Sequence, residues 1–241
     1  MGELQREYLN EWYATPRGDE FAGILKSVIR PQVQGVFGYH ALQIGALPPR
    51  LSLLEDSLVN HKVVADKCGL VDVLCQPEAL PFTAGSIDLI VLTHVLECSG
   101  DPHAVLRECE RVLVPEGHLL IVGLDPWTLW GGWQLLKRHR FPLYDQRRVR
   151  DWLELLGFEL NHSQLLTTIK SGWLDGFSHL PKVRQLANLL LANISGGYIL
   201  FAQKRVTRLT PLAPAWRQRP RLIAGGIAEP AAREIKIVKP D

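Results

Sequence analysis

Thr93 and His94 follow Ile87–Leu92, a run of six residues in which Asp88 carries the only charge. So short an apolar run, opened by the turn at Gly85, predicts a buried strand rather than a helix. In open α/β sheets, ligands gather outside the carboxyl ends of the strands. Thr93 and His94 therefore stand where chemistry is done. An imidazole exchanges a proton near neutral pH, which makes His94 the candidate for substrate-side acid–base work; the alternative is a ring that only packs on a ligand or a loop. The four cysteines, Cys68, Cys75, Cys98 and Cys109, form no C-x-x-C pair, and no histidine cluster completes a metal site. They are expected to be reduced, mostly buried thiols of a cytoplasmic protein, with no metal.

The elements that must hold these residues alternate in type. Val71–Leu74 reads as a short strand, Thr83–Ser86 as a turn and Ile87–Leu92 as the next strand. Asp101 and Pro102 read as a helix cap and first helical residue. Val105, Leu106, Cys109, Val112 and Leu113 then recur at helical spacing until Pro115-Glu116-Gly117, and His118–Val122 is again a strand. Upstream, residues 3–14 predict an amphipathic helix; Asp19 is expected to cap a second one over Glu20–Arg30, ended by Pro31. Tyr39–Ile44 with Gly45 reads as the first strand and its turn. Strand two is left between Leu51–Leu54 and Lys62–Ala65. Downstream come a helix over Asp145–Leu156, a strand over Glu159–Ile169, a helix within 175–194 and a last strand over Gly197–Gln203. Alternating strands and helices predict an α/β sheet with helices on both faces.

Three stretches carry a resemblance. Glu78-Ala79-Leu80-Pro81-Phe82, Ser86-Ile87-Asp88-Leu89-Ile90 and Leu106 through Gly117 (LRECERVLVPEG) follow one another as in the second half of a class I S-adenosylmethionine-dependent methyltransferase domain of the small-molecule type. Ile87 stands for the usual Phe, and Glu116 for a usual Gly. The resemblance implies a Rossmann-like fold, a seven-stranded mostly parallel sheet, over roughly residues 36–205. It also implies S-adenosyl-L-methionine as cofactor and methyl transfer to a small molecule.

Matched residue by residue, the family's cofactor contacts fall on Gln43, Gly45, Asp66, Gln76, Thr93 and His94. Gln43 replaces an acidic residue whose grip on the cofactor's ammonium an amide oxygen retains in part. Gly45 keeps the first glycine of the family's loop, whereas Leu47, Pro48 and Pro49 stand where Gly-Thr-Gly is usual. Those prolines fix φ and offer no N–H, so the loop cannot be the ordinary glycine loop. Asp66 matches the acid that accepts from the ribose hydroxyls, with Glu55 or Asp56 as second choice. Gln76 matches the residue that meets the adenine amino group. The short interval from Gly45 to Cys75 implies that the helix between strands two and three is missing or reduced. A rival reading follows from the altered loop: a methyltransferase-like protein that has lost the cofactor and serves as a binding or scaffold module.

The remaining signals concern partners. Trp127, Trp130 and Trp133 precede Lys137, Arg138, His139 and Arg140. This segment reads as a lid over an apolar substrate, as a peripheral contact with a membrane interface, or as a packed helix with a basic end. The 241 residues carry a net charge of +2, and no apolar run is long enough to span a membrane. From Val206 onward seven Lys/Arg face three acids, so residues 206–241 read as a basic, largely disordered tail and the only nucleic-acid signal. The expected organisation is N-terminal helices over 1–35, the methyltransferase-like domain over 36–205 and the tail. The N-terminus lacks the apolar stretch of a signal peptide.

Overall fold

The computed structural model describes residues 2–45, 52–126, 142–167 and 195–206. In chain order these are α1 (Gly2–Tyr13), α2 (Pro16–Gln34), β1 (His40–Ile44), β2 (His61–Asp66), β3 (Val73–Leu74), β4 (Ile87–Thr93), α3 (Val95–Cys98), α4 (Pro102–Val112), β5 (Leu113–Gly123), α5 (Gln146–Leu155), β6 (Phe158–Thr167) and β7 (Ser195–Lys204). The expected tryptophan segment, the helix within 175–194, the loop from Leu47 to Pro49 and the tail beyond Val206 lie outside the described residues.

The seven strands form one sheet in the order β3-β2-β1-β4-β5-β7-β6. β3 through β5 run parallel, and β7 is antiparallel to both β5 and β6. This is the Rossmann-like methyltransferase architecture. Its switch point lies at β1 and β4, from which successive crossovers run in opposite directions, so a crevice opens at the carboxyl ends of these two strands.

Period-two burial divides the core between the sheet's faces. Ile90 and Leu92 of β4, with Leu119 and Ile121 of β5, pack towards Val105, Leu106 and Cys109 of α4 and Val149 and Leu153 of α5. Leu89, Val91, Leu120 and Val122 point the other way, onto Phe21, Leu25, Ile29 and Val33 of α2. The continuous apolar run of β4 is thus explained by burial on both faces.

Local chemistry sets most element ends. Asp101 caps α4 by accepting from the Ala104 amide at 3.0 Å, with Pro102 at the first helical position. Glu116 and Gly117 fall inside β5 rather than before it, at an irregularity in its parallel pairing with β4, with Glu116 at φ 65°. Two expectations shift. α2 starts at Pro16 under a Thr15 cap, whose Oγ1 accepts from the Gly18 amide at 3.2 Å, so Asp19 lies within the first turn. Pro31 lies inside α2, which continues to Gln34. Pro31 forfeits the N–H bond to the Ser27 carbonyl, and the burial of Val33 and Val36 holds the extension in spite of it. Strand two is the Lys62–Ala65 choice, extended to His61 and Asp66, and residues 67–72 contain no helix.

One clamp ties α4 to the loop after β3. Arg111 donates to the carbonyls of Phe82 at 2.9 Å and Leu80 at 3.0 Å. Glu108 accepts from the Leu80 amide at 2.9 Å and holds Arg111 at 2.7 Å. The E-x-x-R spacing on the helix thereby fixes the loop that begins at Gln76.

Candidate functional site

At the end of β1, Gly45 turns at φ 97°, and a Cβ there would lie 2.5 Å from the Thr93 carbonyl oxygen. Only glycine meets both conditions. The Thr93 hydroxyl donates to the carbonyls of Ile44 and Gly45 at 3.1 and 3.0 Å, which locks the ends of β1 and β4 together. Gln43 is buried, and its amide is engaged at both ends: Oε1 accepts from the Leu53 amide at 3.0 Å and Nε2 donates to the Gly45 carbonyl at 3.4 Å. It bridges the two sides of the altered loop.

Asp66 ends β2 with no solvent exposure. Its carboxylate pairs with the guanidinium of Arg6, on α1, and accepts from the Lys67 amide at 2.5 Å. Glu55 and Asp56, the second choices, instead pair at the surface with Lys26 and Arg30 of α2. Gln76 is exposed at the head of the loop after β3, where its carbonyl accepts from the Ala79 amide at 2.9 Å. Beside it Glu78 accepts from Ser99 at 2.5 Å and Lys67 at 3.1 Å. Burial raises its pKa, but those hydrogen bonds outweigh it and hold the carboxyl below its usual value.

His94 sits between β4 and α3 in the left-handed region, at φ 53°, and is 2% exposed. Its Nε2 meets the Tyr13 hydroxyl at 2.7 Å, while Nδ1 has no partner. Burial pushes the imidazole pKa down to about 4. One turn on, Glu97 is 1% exposed: Oε1 accepts from the Leu124 amide at 2.7 Å and Oε2 has no partner. Burial raises this carboxyl to about 7, against the lowering effect of the Leu124 bond.

The helix α1 packs on both α2 and α3. It therefore lies along the carboxyl edge of the sheet and supplies Arg6 to Asp66 and Tyr13 to His94. A cleft of about 320 Å³, its open mouth included, lies among Arg6, Lys67, Pro77, Val95, Cys98 and Ser99. The structure thus gathers Gln43, Gly45, Thr93, His94 and Asp66 along one edge, with Gln76 at its rim.

A methyltransferase-domain family model matches residues 49–121. The uncharacterized protein YafS of Escherichia coli K12 is 34% identical over 209 residues, spanning 83% of this chain and 82% of that protein. The chain belongs to the class I S-adenosylmethionine-dependent methyltransferase family. An S-adenosylmethionine-dependent methyltransferase from Thermotoga maritima shares the fold, with a TM-score of 0.59 at 14% identity over 85% of this chain and all of that one. Malonyl-[acyl-carrier protein] O-methyltransferase 1 of Coxiella burnetii is 39% identical over 83 residues, 33% of this chain and 29% of that protein. The family match begins just past Gly45, so the altered loop falls at its margin.

Sequence reasoning did not single out Arg6, Tyr13 or Glu97, which the fold brings to this edge. Only Glu97 had a local signal, an acid in the short segment directly after the end of β4. Among the described residues no helix is long and apolar enough to cross a membrane, and no group of three metal-ligating side chains occurs.

Proposed function

We propose that this methyltransferase binds S-adenosyl-L-methionine over the carboxyl ends of β1, β2 and β4 and methylates a small molecule. The observation that carries the reading is Asp66, a carboxylate wholly removed from solvent at the end of β2 and reached by the guanidinium of a covering helix. Its partners include Arg6 and the Lys67 amide, and a ribose diol, with two donors to one carboxylate, would take the place of the guanidinium.

The other residues suit the same ligand. Gly45 brings backbone close to Thr93, and the unpartnered His94 Nδ1 offers a further polar contact. Gln76 presents an amide that both donates and accepts. Gln43 contributes by holding the loop, since its amide is spent on Leu53 and Gly45. When bound, the cofactor supplies a methyl group on a positively charged sulfur. The chain's own part is to align the acceptor and keep water out. Tyr13 and Arg6 close the edge from above, and Thr93 fixes its floor. His94, held near 4, is a weak base at neutral pH, so its part is to hydrogen-bond.

Calorimetric titration with S-adenosylmethionine and S-adenosylhomocysteine tests this. Binding is expected, weakened about tenfold or more by Asp66→Asn, because hydrogen bonds to a charged acceptor are the strong ones. No binding at millimolar ligand overturns it.

A further inference from the structure

Among the described residues, Glu97 Oε2, His94 Nδ1 and the Tyr198 hydroxyl are buried without partners. Native interiors leave few such atoms, and a group of them calls for an explanation. Their positions are linked. Glu97 Oε1 is tied to the Leu124 amide, directly after Gly123 ends β5. Tyr198 pairs with Gly123 across the β5–β7 ladder. Its ring lies over that glycine, so closely that a Cβ there would collide with the hydroxyl oxygen. Gly123 is thus the gap through which the Tyr198 hydroxyl reaches the end of β5. His94 precedes α3, the helix that carries Glu97, and its other ring nitrogen is held by Tyr13.

We propose that Glu97 is the acceptor-side base of this methyltransferase: Oε2 receives the proton that a hydroxyl acceptor must lose, and the Tyr198 hydroxyl holds that acceptor. The proposal rests on the function proposed above. The acceptor's O–H bond breaks and its proton ends on Oε2. The freed electron pair forms the O–C bond to the methyl, while the pair of the broken C–S bond stays on sulfur. One positive and one negative charge disappear together, so the dry site is left neutral. A neutral hydroxyl suits this balance better than a protonated amine, which would bring a second cation beside the sulfonium.

The groups that face Glu97 leave it poised near neutrality while they are not. Burial, helped by the Glu97 charge, raises the phenols of Tyr13 and Tyr144 and the thiol of Cys98, the last to about 12. Tyr198 rises for the same reasons, with Asp125 and Asp145 adding to the effect. His94 lies near 4.

The test counts protons rather than turnover. Calorimetry at pH 7, in two buffers of different ionisation enthalpy, gives the protons released on binding S-adenosylmethionine and S-adenosylhomocysteine. The sulfonium favours ionised Glu97. The cationic ligand is therefore expected to release up to about half a proton more than the neutral one, a difference that Glu97→Gln abolishes while still binding S-adenosylhomocysteine. Equal proton counts in the wild-type protein overturn the proposal, whatever the variant does to folding. A difference that persists in Glu97→Gln overturns it too. Absence of binding by either ligand is a separate result, which removes the methyltransferase reading beneath it.

Discussion

Arg6 and Asp66 meet as an ion pair across sixty residues of chain, the carboxylate fully buried and the guanidinium side chain 11% exposed. The pair fastens α1 to the end of β2. In the function proposed here it also places a guanidinium where ribose hydroxyls would bind. Breaking a buried pair from one side leaves an uncompensated charge, at a cost of about 3–5 kcal/mol. Arg6→Ala is therefore expected to lower the urea midpoint of the ligand-free protein. It is also expected to enlarge the rise in Tm that S-adenosylhomocysteine produces, because the ligand then compensates Asp66 without displacing Arg6. A smaller rise than in the wild type would make Arg6 a ligand contact instead.

Gly45→Ala tests the β1 turn. The positive φ costs a non-glycine residue roughly 1–2 kcal/mol. The contact 2.5 Å from the Thr93 carbonyl adds an overpacking cost of about 1–3 kcal/mol. Chemical denaturation should show the combined loss, and a change below 1 kcal/mol, roughly, would mean that the turn relaxes freely.

Glu97 and His94 give opposite pH dependences. Glu97 rises from 4.5 to about 7 on folding, so between those values the folded state holds the extra proton. Its contribution to stability is retained below 4.5, falls as pH rises to 7 and is flat above, a total of roughly 3 kcal/mol. His94 falls from 6.5 to about 4, so its contribution is present above 6.5 and lost as pH falls through 4. The difference in unfolding free energy between Glu97→Gln and wild type isolates the first effect. It should grow in favour of the variant from pH 4.5 to 7, and a flat difference would contradict the raised carboxyl.

Tyr198→Phe removes a buried hydroxyl that has no partner. Such a group carries a desolvation penalty of about 1–3 kcal/mol. The variant is expected to be as stable as the wild type or more so in the absence of ligand, read as an unchanged or higher urea midpoint. Destabilisation would show that the hydroxyl is engaged.

The chain's own order of residues determined the alternation of strands and helices. Apolar runs such as Ile87–Leu92, the Asp101-Pro102 cap and the E-x-x-R-V-L helix are local signals, set by side-chain periodicity and by backbone donors and acceptors a few residues apart. For the same reason local signals alone suffice to put Gly45, Thr93 and His94 at the carboxyl edge. Pro31 misled because its missing N–H is a local signal, whereas the burial of Val33 and Val36 that outweighs it is tertiary. Distance from Gly45 makes Asp66 the first choice in the sequence; what tertiary structure adds is that it is buried at a strand end while Glu55 and Asp56 lie against surface cations of α2. Arg6, Tyr13 and Tyr198 were beyond local reading altogether. Their partners lie sixty or more residues away, and such contacts exist only once helix α1 has packed on α3 and β7 has paired with β5. Tertiary burial also set the proton affinities of His94 and Glu97, because desolvation belongs to the packed environment and not to the residue type.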